Sequence, residues 1–296
     1  MATSNNEKST KTVSSRAGAG NYTAPRFPDN KWALITGASS GIGAALLHQF
    51  AKNGYNVVAV AKDPEHLAST AGEYQSLYEN VDILPLAINL TQPRAARALY
   101  AQLARLGIEL EVLVNDAGEG QWGQFVEIPI GRDVELIRLN IEALTRLTKA
   151  FLSDMVARRS GKILNVGSVA GFQPGPMLAV YHATKAYVVS LSEALAEELK
   201  DSGVTVTCLC PGPTETNFFE KADMQDTRVV QYREQTMMKA EDVAKAGYDA
   251  LMAGERVIIP GLMNKITTFS RRIMPLSLQA RTQKQYYETS TEESAA

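Results

Sequence analysis

Seven short apolar runs recur along the chain, separated by longer stretches whose apolar residues repeat at helical spacing. WALITG (32–37), NVVAVA (56–61), VDILPLAINL (81–90), ELEVLVNDAG (109–118), GKILNVGS (161–168), GVTVTCLCPG (203–212) and ERVIIPG (255–261) read as strands. Pro85 weakens the third of them, because proline has no N–H to give to a ladder. IGAALLHQFAKNG after the first run reads as a helix ending at Gly54, and DPEHLASTAGEYQSLYEN as a second, with Asp63 as N-cap and Pro64 at its first position. Further helices are predicted over 93–106, 133–158, 181–201 and 241–253. In the longest, Ile137, Ile141, Leu144, Thr148, Phe151 and Met155 fall on one apolar face, which has to pack on the sheet and can also meet a second subunit. Strands alternating with helices imply an α/β fold, a mostly parallel sheet covered on both faces, and one unbroken series implies one domain.

The ends have a different texture. Residues 1–30 are rich in Ser, Thr, Asn, Gly and Lys without apolar periodicity and read as a disordered tail. An organelle transit peptide competes with that reading, since Glu7 is the one acid in the first 28 residues, but the arginine-rich amphipathic pattern is missing. The closing ETSTEESAA, about 288–296, reads as a free tail. Between 261 and 287, Leu262, Ile266, Phe269, Ile273, Met274, Leu276 and Leu278 alternate with Lys265, Arg271, Arg272, Arg281 and Lys284, an amphipathic basic extension broken at Pro275. Docking on the lid or on a neighbouring subunit is one reading of it; peripheral membrane contact is the other.

Composition narrows the class. The 296 residues are 45% hydrophobic and 21% charged, with net charge −2, which suits a soluble protein with ample core and gives no footprint for nucleic acid. No apolar run approaches the roughly 18 residues of a membrane span. Cys208 and Cys210, with one residue between them in a strand, are expected to face opposite sides, and no second pair exists to complete a zinc site. Reducing, cytoplasmic surroundings and no metal are the expectation.

The chemistry is expected between Ser168 and Lys185, in SVAGFQPGPMLAVYHATK. Tyr181 and Lys185 lie four apart in a helical stretch and so share a face. At an effective dielectric of ~20, a cation ~4–5 Å away favours the phenolate by roughly 4 kcal/mol, which brings a phenol that normally titrates near ~10 toward neutrality. Such a tyrosine can serve as general acid or base. A Tyr–Lys pair on a helix is common, so its meaning depends on what accompanies it.

A second feature accompanies it. TGASSGIG places Gly37, Gly41 and Gly43 between the first strand and the first helix, with Ser39, Ser40 and Ile42 among them. In an open parallel sheet ligands gather at the carboxyl ends of the strands, and a glycine turn leading into a helix N-terminus suits the phosphates of a dinucleotide. At the end of the second strand an acid would hold the 2′-hydroxyl of NAD and a cation the 2′-phosphate of NADP. Ala61 stands at the acid position and Lys62 is the nearest charge, which favours NADP(H) over NAD(H).

Taken together, TGASSGIG, NDAG at 115–118, Asn140, Ser168, YHATK and PGPTET at 211–216 resemble the short-chain dehydrogenase/reductase family over about 31–260. The GFQPGP loop, CLCPGP strand end and VIIPG segment are most like a bacterial-type reductase subgroup. The resemblance implies a Rossmann-type, doubly wound seven-stranded sheet. It implies Tyr181 as general acid–base, Ser168 as the partner of the substrate oxygen, Lys185 as the group that tunes the tyrosine and binds the nicotinamide ribose, and Asn140 as holder of a proton-relay water. It also places Asn115, Ala117 and Gly118 along the cofactor, Asn89 and Leu90 beside its adenine, and Pro211, Gly212, Thr214 and Thr216 along the nicotinamide. Two departures stand out: Asp116 replaces the second Asn of the usual NNAG, and Asn89-Leu90 replaces the usual acid beside adenine.

Residues 213–240 fit a lid over the substrate, with Phe218, Phe219, Met237 and Met238 as pocket or packing residues. Phe172, Gln173 and Met177 are the other expected substrate walls. The expected activity is NADP(H)-dependent interconversion of an apolar carbonyl compound and its alcohol, in a homodimer or homotetramer built on helices 133–158 and 181–201. A non-catalytic NADP(H)-binding redox sensor or scaffold is the competing reading. An isomerase or dehydratase is a third, weakened because sugar-nucleotide enzymes of that kind usually carry a larger C-terminal domain.

Overall fold

The computed structural model describes residues 26–27, 30–233, 237–271 and 273–288. In chain order the elements begin with β1 (Trp32–Thr36), α1 (Gly41–Lys52), β2 (Asn56–Ala61), α2 (Pro64–Leu77), β3 (Ile83–Ala87), α3 (Ala95–Arg105) and β4 (Leu110–Asn115). They continue with α4 (Ile130–Ile137), a π-helical turn (Arg138–Ala143), α5 (Leu144–Ala157), β5 (Gly161–Val166), a 3₁₀ turn (Val169–Phe172), α6 (Ala179–Glu198) and β6 (Val204–Leu209). Last come β7 (Thr214–Glu215), α7 (Phe218–Lys221), α8 (Arg228–Arg233), β8 (Met238–Lys239), α9 (Ala240–Ala253), β9 (Val257–Ile258), α10 (Leu262–Arg271) and α11 (Leu276–Tyr287).

The main sheet has seven strands in the order β3-β2-β1-β4-β5-β6-β9, every pair parallel. Winding reverses between β1 and β4, which opens a crevice at their carboxyl ends. β1 is buried at all five positions, because helices cover both faces. Its Ala33 and Ile35 join α1, α2 and α9 on one face, through Leu46, Phe50, Leu67, Val243 and Leu251. Trp32 and Leu34 join α3 and α5 on the other, through Leu99, Leu103, Leu147, Phe151 and Met155. The single-domain, doubly wound fold expected of the pattern is the one observed. Pro85 is accommodated because β3 is an edge strand, paired only with β2.

Several expectations need correction. The run 133–158 is not one α-helix: the π-helical turn interrupts it, and Asn140 lies within that turn. Cys208 and Cys210 do not face opposite sides. Residues two apart on a strand point the same way, and the two buried Sγ atoms are 3.5 Å apart. Within the stretch 1–30 expected to be a free tail, Arg26 is tied down: its backbone N–H and Nε donate to the Asp82 carboxylate at 2.6 and 2.7 Å. Residues 1–25 and 289–296 lie outside the described residues.

In the predicted lid, β7 and β8 pair as a small parallel ribbon, α7 and α8 lie between them, and 234–236 fall outside the description. The C-terminal extension breaks before α11, with Pro275 at its N-cap. α11 docks on α8, whereas Leu262, Met263, Ile266 and Phe269 of α10 stay exposed. No helix among the described residues is long and apolar enough to cross a membrane, and none of their His, Cys, Asp and Glu side chains group as a metal site would need.

Candidate active site

The crevice starts where β1 turns into α1. Gly37 has φ +72°, a left-handed conformation that side chains disfavour. At Gly43 a Cβ would sit 2.3 Å from the Gly37 carbonyl oxygen, so only glycine lets the helix close on the turn. Ser40 precedes the helix without a side-chain cap, which leaves the amides of Gly41 and Ile42 at the start of α1 available to an anion, while the Gly43 N–H is taken by the Asp116 carboxylate. The hydroxyl of Thr36 accepts from the backbone N–H groups of Asp116 and Ala117, each at 3.0 Å, and ties the end of β1 to the end of β4. This cradle fits the pyrophosphate of a dinucleotide.

Gly37, Ser39, Ser40, Gly41, Ile42, Lys62, Asn89, Leu90, Ala117 and Gly118 all line one cavity. Gly43 and Asn115 do not. Asn115 is buried beneath, its Nδ2 donating to Thr148 Oγ1 and Asn165 Oδ1. Lys62 is exposed and pairs with Glu135 at 3.8 Å, so its charge is partly answered by an acid that lines the same cavity. Asp63 is occupied in capping α2, accepting from the N–H groups of Glu65 and His66 at 3.0 and 3.1 Å. Asn89 Oδ1 is held by the backbone and hydroxyl of Thr91, which leaves the amide N–H₂ to face a base.

Ser168, Tyr181, Lys185, Pro211, Gly212, Thr214 and Thr216 line the same cavity, and Thr216 packs against the glycine turn, 3.1 Å from where a Cβ on Gly41 would lie. Ser168 ends the β5 segment as N-cap of the 3₁₀ turn, accepting from Ala170 N–H at 3.0 Å. Tyr181 and Lys185 are on α6, one turn apart. Lys185 Nζ donates to the Val166 carbonyl at 2.8 Å and lies 5.8 Å from the centre of the tyrosine ring. Asn140 sits behind the cavity wall: its Nδ2 donates to the Glu119 carbonyl and to Thr184 Oγ1, both at 3.0 Å. Its Oδ1 accepts from Glu119 N–H at 3.1 Å. A Cβ on Gly118 would lie 3.3 Å from that Oδ1 and 3.5 Å from Lys185 Nζ, so the asparagine and the lysine meet at this glycine.

The electrostatics differ from expectation. Burial pushes Tyr181 up to about 12, the nearby Asp116 carboxylate adds to the rise, and a hydrogen bond with Ser168 works against both. Desolvation of the phenolate, rather than the neighbouring lysine, dominates the titration of this phenol. Burial lowers Lys185, against the pull of Asp116 and the two thiols. Asp116 rises to about 7, chiefly by burial, opposed by Lys185 and a hydrogen bond from the Gly43 backbone.

The cavity, about 790 Å³, widens beyond Tyr181 into an apolar lobe walled by Leu178, Phe218, Phe219, Met224, Val229 and Tyr287. Phe218 packs against Tyr181 with the ring centres 5.1 Å apart and the planes tilted by 47°. Gln173 also lines the lobe, but Phe172 does not: its ring packs with Leu144, Val188 and the two cysteines. Met177 lies behind the wall, among Leu178, Ala222 and Met224, in a left-handed conformation. Met238 is a packing residue on the sheet core. Sequence reasoning missed Tyr287, which joins the wall from α11. Its hydroxyl lies 3.0 Å from His182 Nε2, its carbonyl accepts from Trp122 Nε1 at 2.8 Å, and only its place in an amphipathic extension hinted at burial.

Known proteins bear the same features. A very-long-chain 3-oxoacyl-CoA reductase of Coprinopsis cinerea is 37% identical over 179 residues, 59% of this chain and 52% of that protein. The chain thus spans about half the length of such curated relatives. A short-chain dehydrogenase from Sphingobium yanoikuyae, solved in complex with NADPH, superposes with TM-score 0.71 at 33% identity, over 82% of this chain and 95% of that one. A bulky-bulky ketone specific alcohol dehydrogenase from Comamonas testosteroni superposes with TM-score 0.68 at 31% identity, over 82% and 93%. The family model for short chain dehydrogenases matches residues 31–227. With its fold, its glycine turn and its Ser–Tyr–Lys cluster, this chain belongs to the short-chain dehydrogenase family.

Proposed function

We propose that the protein is an NADP(H)-dependent oxidoreductase that interconverts an apolar carbonyl compound and its alcohol. One observation carries the reading: Ser168, Tyr181 and Lys185 line the same cavity as the glycine turn at α1. A bound nicotinamide supplies or accepts the hydride. The protein's own groups then handle the oxygen and its proton. The Ser168 hydroxyl orients the carbonyl oxygen, and the Tyr181 hydroxyl gives it a proton as charge develops there. Lys185 holds the cofactor ribose and steadies the phenolate left behind, and Asn140, linked to it at Gly118, serves the return of the proton.

Lys62 at the end of β2, with no acid at Ala61, supports NADP(H) over NAD(H). The relative solved with NADPH agrees with this choice. The lobe formed by Phe218, Met224, Val229 and Tyr287 supports an apolar substrate, in keeping with relatives named for long acyl chains and for bulky ketones. Self-association through α5 and α6 in a cytoplasmic protein belongs to the same proposal. It is tested by following NADPH oxidation over a panel of ketones and aldehydes: turnover should be present in the native protein and absent in Tyr181→Phe. Cofactor binding with no carbonyl compound ever reduced would instead favour a non-catalytic sensor or scaffold.

A further inference from the structure

Among the described residues, two buried polar atoms of side chains that line the cavity have no hydrogen-bond partner: Oε1 of Gln173 and Oγ1 of Thr268. Both residues line the cavity and are 9% and 3% exposed. They arrive from separate parts of the chain. Gln173 directly follows the 3₁₀ turn Val169–Phe172, and Thr268 lies on α10, which packs against that turn. Their neighbours show the ordinary way to satisfy such atoms. Thr267 donates its hydroxyl to the Met263 carbonyl at 2.8 Å, and Thr282 does the same to Leu278 at 3.0 Å, the usual bond back along a helix. Thr268 makes no such bond. The backbone carbonyl of Gln173 lies 2.9 Å from His182 Nδ1, which fixes the residue in place without serving its side chain.

Each unpaired buried polar atom costs about 1–3 kcal/mol. Leu and Val at these positions would fill similar space without that cost. We infer that Gln173 and Thr268 form a second recognition point for the substrate, and that the preferred substrate is an apolar ketone bearing a hydroxyl group away from the carbonyl. A hydroxyl both donates and accepts, which matches an amide oxygen that needs a donor and a threonine hydroxyl that can take either role. Neither side chain is charged, so a neutral group suits the point better than a carboxylate. This inference rests on the carbonyl-reductase reading above and deepens it.

The test uses the full chain with NADPH and matched pairs of bulky ketones, with and without a remote hydroxyl placed at several positions. The native protein should prefer at least one hydroxylated member by about tenfold or more in kcat/KM, because a site built to bond a hydroxyl rejects the analogue lacking it. Gln173→Leu and Thr268→Val should each bring that ratio toward one, while the melting temperature of the free protein holds or rises. Thr268→Ser, which keeps the hydroxyl, should retain the ratio. A native protein indifferent to the hydroxyl overturns the inference, as do variants that keep the ratio or simply melt earlier. Failure of the underlying reading looks different, since then neither member of any pair is reduced.

Discussion

A tyrosine pushed up to about 12 keeps its proton throughout the neutral range, so in the direction of reduction it is ready to donate without first being charged. In the direction of oxidation the same group must first lose that proton. Alcohol oxidation by this protein should therefore climb with pH across the range ~6 to ~9, while ketone reduction stays nearly level, a contrast that paired pH–rate profiles measure. Tyr181→Phe should lower both by on the order of 10²–10⁴-fold with cofactor affinity retained, as fluorescence titration with NADPH would show. Lys62→Ala should reduce the kcat/KM ratio of NADPH to NADH several-fold, and an unchanged ratio would remove the role given to that lysine. Asp116 yields a different kind of effect. Its carboxyl is raised to about 7, so between its ordinary value near ~4 and about 7 the folded chain holds a proton that the unfolded chain has released. Its contribution to stability is complete below that window and is lost as pH rises through it. Asp116→Asn should flatten this dependence, raise the melting temperature near pH ~8 by roughly 2–4 °C and tighten cofactor binding.

At the scale of elements, the parts that were legible in the sequence obey a single period. β1, β2, β4, β5 and β6 are buried runs, and α2 starts where Asp63 and Pro64 said it would, with the carboxylate on the predicted amides. The parts that were not legible depend on contacts between distant segments. The π-helical turn around Asn140 leaves the apolar spacing of its run unchanged, yet it alters the backbone at the residue that reaches Glu119 and Thr184. Phe172 looked like a substrate wall because it follows Ser168, but the 3₁₀ turn rotates it into the packing beside Cys208 and Cys210. Tyr287 gave no local signal beyond its place in an amphipathic extension, since the groups that bond its hydroxyl and carbonyl, His182 and Trp122, are more than a hundred residues away. The bond from the Trp122 indole to its carbonyl is one that mutation can probe. Trp122→Phe should cost about 0.5–1.5 kcal/mol locally, speed hydrogen exchange in α11 while the sheet stays protected, and raise KM more than it lowers kcat.

For the whole molecule, the crevice between β1 and β4 lies at the reversal of the sheet, so a bound dinucleotide would touch the ends of several strands at once. Saturating NADPH, at about a hundred times its Kd, should stabilise the fold by about 2.7 kcal/mol. That is on the order of 5 °C in melting temperature for a chain of this size, and NADH at the same concentration should give less. The cofactor half of this architecture could be read from spacing alone because strand, turn and helix are consecutive there. The substrate half could not, because its wall is assembled from the 3₁₀ turn, the α7–α8 segment and α11 together.

The closure of that wall by Tyr287 also bears on the order of events while the chain is being made. β9, the last strand of the main sheet, ends at Ile258, and Tyr287 follows it out of the ribosome only after a further stretch of synthesis. At about 5–20 residues per second the delay is on the order of seconds. During that interval a nascent chain can present its glycine turn to nucleotide while its apolar lobe still lacks a side. The enzyme would thus acquire its cofactor before it acquires the ability to choose a substrate.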